Sequence, residues 1–138
     1  MTVFYLETSA LLTWLFDEPD ASIIIDSING ADLIVTSDLL RIETMRAIKR
    51  AHHEKLITLE QLESLVHTFR DYLKSCFRMG MDESVVTGAT ADFSVEPLRT
   101  LDAIHLSTAL EYKKLYPELR MLTTNTRLKQ NTESFNLG

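Results

Sequence analysis

A chain of 138 residues that is 45% hydrophobic and 25% charged, with only four Gly and three Pro, has the balance of one globular domain. That balance excludes a disordered or collagen-like polymer. Fourteen Lys and Arg against twenty Asp and Glu give a net charge of -6, which argues against a broad nonspecific nucleic-acid surface but leaves room for a basic lip on an acidic body. A single cysteine, Cys76, excludes an intramolecular disulfide and, beside Phe77, reads as a buried thiol in a reducing compartment. No segment reaches the roughly 18 apolar residues of a membrane span, and the N-terminus lacks the basic region of a secretion signal. The expected location is the cytoplasm, without a membrane partner, and residues 1–138 are expected to form a single domain.

Val3 to Leu6 is an apolar run too short for a helix and reads as a buried strand. Glu7-Thr8-Ser9 ends it, and Leu11, Leu12, Leu15 and Phe16 resume at helical spacing, with Thr8 or Ser9 as the expected cap. Asp17 to Asp20 is a stop, Ala21 to Ile28 a short helix closed by Asn29-Gly30, and Leu33 to Val35 a second strand. A helix from about Leu39 to His52 carries an apolar stripe through Leu40, Ala47 and Ala51. Glu43 falls on that stripe, where a carboxylate is not buried unpaired. It sits at the stripe's edge, pairs with Arg46 or Arg50, or faces a polar cleft.

Thr58 and Gln61 form a capping box for a helix reaching about Ser75, with Leu59, Leu62, Leu65, Val66, Phe69 and Leu73 as its apolar side. Phe77 to Met81 reads as a strand interrupted by Gly80, and Asp82 caps a helix through Val85, Val86 and Ala89 toward Phe93. Thr100 is the expected N-cap of a helix from Leu101 to about Tyr116, stopped by Pro117. Apolar residues surround most of its first half, and Asp102 and His105 interrupt them on one side. Asp102 serves the helix dipole or lines a cleft, and His105 is a structural histidine or a proton shuttle. Arg120 to Thr123 is a strand, Thr124-Asn125-Thr126 its polar end, and Ser134 to Leu137 can add a last edge strand. Strands alternating with helices predict an α/β fold with a parallel sheet covered on both faces.

Glu7 at a strand end, Glu43 on a helix stripe and Asp102 on a buried first turn are three carboxylates in unusual settings. Brought together without bases they repel, and a hard divalent ion relieves the repulsion. Oxygen ligands suit Mg²⁺ or Mn²⁺, whereas zinc favours His or Cys. Such an ion activates water and neutralises a phosphoryl group in transfer, which points to phosphodiester hydrolysis. No phosphate-binding glycine loop, HExxH, CxxC or serine-hydrolase elbow offers a competing chemistry.

Four segments in order resemble the PIN-domain family, and within it the VapC-type toxins of toxin–antitoxin modules. They are Tyr5-Leu6-Glu7-Thr8-Ser9-Ala10-Leu11, Ile42-Glu43-Thr44-Met45-Arg46-Ala47, Leu98-Arg99-Thr100-Leu101-Asp102-Ala103-Ile104-His105-Leu106 and Leu122-Thr123-Thr124-Asn125-Thr126-Arg127-Leu128. The resemblance implies a three-layer α/β/α sandwich with a small, mainly parallel sheet. It implies a Mg²⁺- or Mn²⁺-dependent endoribonuclease, usually a homodimer, whose cleft is blocked by a small antitoxin that wraps the toxin. On this resemblance Glu43 and Asp102 bind metal, with Glu7 as the expected third ligand. Ser9 and Thr124 position water, metal or substrate, and Arg46 and Arg99 contact phosphate or pair with acids.

Two positions depart from the family pattern. Glu7 stands where an Asp is usual, adding one methylene, and Asn125 stands where the fourth Asp is usual, removing a charge while keeping an acceptor oxygen. Lower metal affinity and a weakened activity are expected. The alternative is an inactive PIN-fold protein that binds RNA or an antitoxin without cutting.

Overall fold

The computed structural model describes residues 1–138. Its centre is β1 (Val3–Leu6), whose four side chains are all buried. Alternation along this strand divides the core: Val3 and Tyr5 enter one apolar cluster, Phe4 and Leu6 the other. β2 (Leu33–Ser37) repeats the division with Val35 and Ile34. A strand buried on both faces needs helices above and below, which is why it reads as continuously apolar.

The remaining elements are α1 (Thr8–Leu15), α2 (Ala21–Asn29), α3 (Asp38–His53), α4 (Leu59–Leu73), β3 (Phe77–Met79), α5 (Glu83–Ala89), α6 (Thr100–Leu115), β4 (Arg120–Leu122) and α7 (Thr126–Thr132). The four strands form one parallel sheet in the order β3-β2-β1-β4, with Tyr5 opposite Val35 on one side and Met121 on the other. Helices α1 to α4 supply Leu11, Ile24, Leu40 and Phe69 to one cluster. Helices α6 and α7 supply Leu106, Tyr112 and Leu128 to the other, so the expected α/β/α sandwich is present. No helix is long and apolar enough to cross a membrane.

Several local expectations change. Glu7, rather than Thr8 or Ser9, caps α1, because its longer side chain folds back to accept the Ser9 N–H. Helix α6 begins at Thr100, one residue early, with Arg99 in the cap position and no side-chain cap. The Glu96 carboxylate accepts the Phe93 and Leu98 N–H groups just before it, which organises that turn from outside the helix. Leu101 is 46% exposed although its neighbours Asp102 and Ala103 are buried, so apolar character does not place it on the buried side of α6. The buried line of α3 runs through Leu40, Thr44, Ile48 and Ala51, with Glu43 at its edge.

The capping box at Thr58 and Gln61 is present, yet only Phe69 and Leu73 of α4 are fully buried. The C-terminus adds no strand: Leu137 accepts the Met121 N–H at 2.8 Å and donates to Thr132 at 2.7 Å, a single rung closed by α7 turning back. Cys76 is half-buried, and burial pushes its thiol up, the setting of an unreactive thiol.

Candidate active site

In an open parallel sheet, ligands bind beyond the carboxyl ends of the strands where the chain order reverses. Here β1 is flanked by β2 and β4, so the reversal lies between β1 and β4. Glu7 follows β1 directly, its N–H donating to the Leu122 carbonyl at 3.0 Å, and Thr123 to Asn125 follow β4. Helices α3 and α6 bring Glu43 and Asp102 to the same end from opposite faces of the sheet.

Glu43 is the best-defined member. Its Oε1 lies 2.5 Å from His105 Nε2 and accepts the Thr8 hydroxyl at 2.7 Å. The other ring nitrogen, Nδ1, is 2.7 Å from the Tyr5 hydroxyl. Burial, and then the charge of Glu7, hold the Tyr5 phenol well above its ordinary value, so it keeps its proton. A protonated phenol donates to Nδ1, and the imidazole N–H then lies on Nε2, aimed at Glu43. Partial burial opposes ionisation of Glu43, but the hydrogen bonds it accepts from the His105 Nε2–H and the Thr8 hydroxyl outweigh it. The carboxyl therefore titrates below the usual glutamate range. His105 is 1% exposed and serves as the fixed end of this chain. Arg46 and Arg50, the alternative partners for Glu43, form no ion pair with it.

Asp102 lies one turn before His105 on α6 and is 9% exposed. Its Oδ1 accepts the Asn125 side-chain amide at 3.1 Å. Glu43 Oε2 and Asp102 Oδ2 take no hydrogen bond from the protein, and neither is a sealed, unpartnered atom.

Glu7 and Asn125 are differently employed. Glu7 Oε2 accepts the Ser9 N–H at 3.0 Å, and Oε1 accepts the Ser9 hydroxyl and, at 2.5 Å, the Thr123 hydroxyl. Both its oxygens are taken. Asn125 caps α7, its Oδ1 accepting the Arg127 and Leu128 N–H groups at 2.9 and 3.3 Å. The hydroxyl network ties these loops together: Thr124 N–H donates to Ser9 Oγ at 2.9 Å and Asn125 N–H to Thr123 Oγ1 at 3.0 Å. The Thr124 hydroxyl itself lies 3.4 Å from that of Thr13 and makes no hydrogen bond to a carboxylate. Arg99 is exposed at the start of α6 and pairs with no acid.

No three acidic, His or Cys side chains are grouped so as to hold an ion, and Glu7 engages both its oxygens with Ser9 and Thr123. Two carboxylates keep a free oxygen each. That donor set fits Mg²⁺ or Mn²⁺, because Mg²⁺ keeps several waters and is commonly held by one or two carboxylates with substrate phosphates. Sequence reasoning missed Tyr5 and Thr123, and took Thr8 only as a helix cap. Their one signal was position, a hydroxyl at or beside a strand end that also carries an acid.

The PIN domain family matches residues 4–131. Ribonuclease VapC35 from two Mycobacterium tuberculosis strains, CDC 1551 / Oshkosh and ATCC 25618 / H37Rv, is 28% identical to the chain over 138 residues. In each case the match covers 99% of this chain and 94% of the relative.

Proposed function

The chain belongs to the PIN-domain family, and on that premise we propose that it is an endoribonuclease acting as the toxin of a toxin–antitoxin module. The name of the VapC35 relatives supports the ribonuclease reading. The observation that carries it is the pair of carboxylates with free oxygens, Glu43 and Asp102, beyond the strand ends where the sheet order reverses. These two would hold Mg²⁺ or Mn²⁺, which when bound supplies charge neutralisation at a phosphoryl group and a more acidic water. His105 and Thr8 hold the Glu43 carboxylate ionised and in one orientation. Asn125 fixes Asp102 without adding a second negative charge beside it. Glu7, Ser9 and Thr123 lock the loops after β1 and β4 together. By family resemblance the working form is a cytoplasmic homodimer silenced by a small cognate antitoxin.

The test is cleavage of single-stranded RNA with Mg²⁺ or Mn²⁺ and with EDTA. Cleavage should require the ion and fall at least about a hundredfold in Asp102→Asn, the scale of removing one preorganised charge-stabilising group. Full cleavage in EDTA, or unchanged cleavage by that variant, would sink the reading. A second reading, an RNA- or antitoxin-binding protein of the same fold, is favoured by the engagement of Glu7 and Asn125 as helix caps. RNA bound but left intact by the unaltered protein with either ion would select it.

A further inference from the structure

An acidic protein has no reason to concentrate its cations unless something anionic meets them. Seven of the fourteen Lys and Arg residues line connected hollows on the α3–α4 face. One hollow, of about 590 Å³, is lined by Arg41, Arg46 and Arg78 together with Asp38 and two apolar residues. The next, about 550 Å³, shares Arg46 and adds Lys49 and Arg50. A smaller one shares Arg41 and Arg78 and adds Arg70 and Lys74, which continue into the hollow along α4. All seven cations are exposed. Three acids lie among them, and the single ion pair is a loose one, Arg78 to Asp38 at 3.6 Å.

Arg46 and Arg50 lie three and seven residues beyond Glu43, so the basic stripe of α3 starts one turn from the site and ends about 10 Å from it along the helix. No phenylalanine, tyrosine or tryptophan lines these hollows. Single-strand binders that read or hold bases use aromatic platforms, whereas cations alone hold phosphates without reading sequence.

We infer that the α3–α4 face is a phosphate track for the RNA strand flanking the scissile bond, entered from Glu43 and held by charge rather than by base stacking. This rests on the ribonuclease reading above. It also locates selectivity elsewhere, because a track of this composition binds unrelated sequences alike.

The experiment is fluorescence anisotropy of labelled single-stranded RNA in EDTA, which prevents metal-dependent cutting, over a series of KCl concentrations. Arg46→Gln/Arg50→Gln and Arg70→Gln/Lys74→Gln should each flatten the slope of log affinity against log salt by about 1.4. At 0.1 M salt each should weaken binding roughly 25-fold, the effect of losing two phosphate contacts on a single strand at ~0.7 per contact. Lys114→Gln/Lys129→Gln, from helices on the other face of the sheet, should leave both unchanged. Oligo(U) and a mixed sequence should bind alike. Unaltered slope and affinity in both double variants, with RNA still bound and cut by the unaltered protein, overturns the track alone. If those variants instead lose only a glutamate-rich peptide, the face belongs to an acidic protein partner and the track is overturned. An unaltered protein that neither binds nor cuts RNA overturns the ribonuclease reading and the track with it.

Discussion

The two helices and the two strand-end loops contribute acids, or an acid and its amide, in opposite ways. Glu43 sits inside α3, where backbone N–H groups are already used by the helix, and Asp102, in the first turn of α6, accepts the Asn125 side-chain amide rather than a backbone N–H, so each retains a free oxygen. Glu7 and Asn125 stand at the cap positions just before α1 and α7, where unsatisfied N–H groups claim one oxygen of each. A polar residue at a strand end that opens a helix is thus divided between function and capping. In this chain capping takes Oε2 of Glu7 and the only acceptor of Asn125, and the Ser9 and Thr123 hydroxyls take Oε1 of Glu7.

The sharpest way to break that contrast is to neutralise one acid from each region and titrate Mn²⁺ by calorimetry. Glu43→Gln should lose at least about a hundredfold in affinity, beyond the 10–100-fold typical of groups that only support a ligand. Glu7→Gln should keep Mn²⁺ affinity near that of the unaltered protein while losing stability on the scale of a cap, about 1 kcal/mol. Equal losses of affinity in the two variants would return Glu7 to the ligand set.

Removing the support of Glu43 tests the helix side alone. His105→Ala strands the buried Tyr5 hydroxyl and leaves a cavity, and should cost about 3 kcal/mol in urea unfolding. A loss within the range of surface substitutions, about 0.5 kcal/mol, would show that the Tyr5–His105–Glu43 chain is not formed.

Asn125→Asp sharpens the loop side. The new carboxylate can still cap α7, but it loses the donor to Asp102 and faces a second negative charge. Without metal the variant should melt lower than the unaltered protein, and Mg²⁺ should raise its melting temperature by more. An ion-independent change would place residue 125 outside the metal's reach.

The smallest effect is the pH dependence of stability in EDTA. The Glu43 carboxyl is lowered by folding from its ordinary value of 4.5, so its contribution is complete above that pH and is lost as pH falls through the lower folded value. Glu43→Gln should flatten this acid limb and leave stability between pH 6 and 8 without a new slope. An acid limb unchanged by the substitution would assign it to other carboxylates.

Much of the fold is legible in the chain because burial imposes a period. The double-sided burial of Val3 to Leu6, the capping box at Thr58 and Gln61 and the helical spacing around Leu106 each follow from local pattern. Errors cluster at helix starts, where a side chain from outside the expected element supplies the hydrogen bonds, as Glu96 does before α6. They also occur at apolar residues whose exposure depends on what packs over them, such as Leu59 at 58% and Leu101 at 46%.

The candidate site divides along the same line. By itself the sequence determined which positions carry oxygen donors, that Glu43 lies on a helix stripe and Asp102 on the first turn of a helix, and that Glu7 and Asn125 depart from the family pattern. Only the tertiary structure decided their employment. It paired Glu43 with His105 across 62 residues and Glu7 Oε1 with Thr123 across 116, and turned Oε2 of Glu7 and Oδ1 of Asn125 onto helix caps. The physical reason is range: periodicity reports which face of its own element a residue occupies. A hydrogen-bond partner is chosen by whatever the sheet order places within about 3 Å.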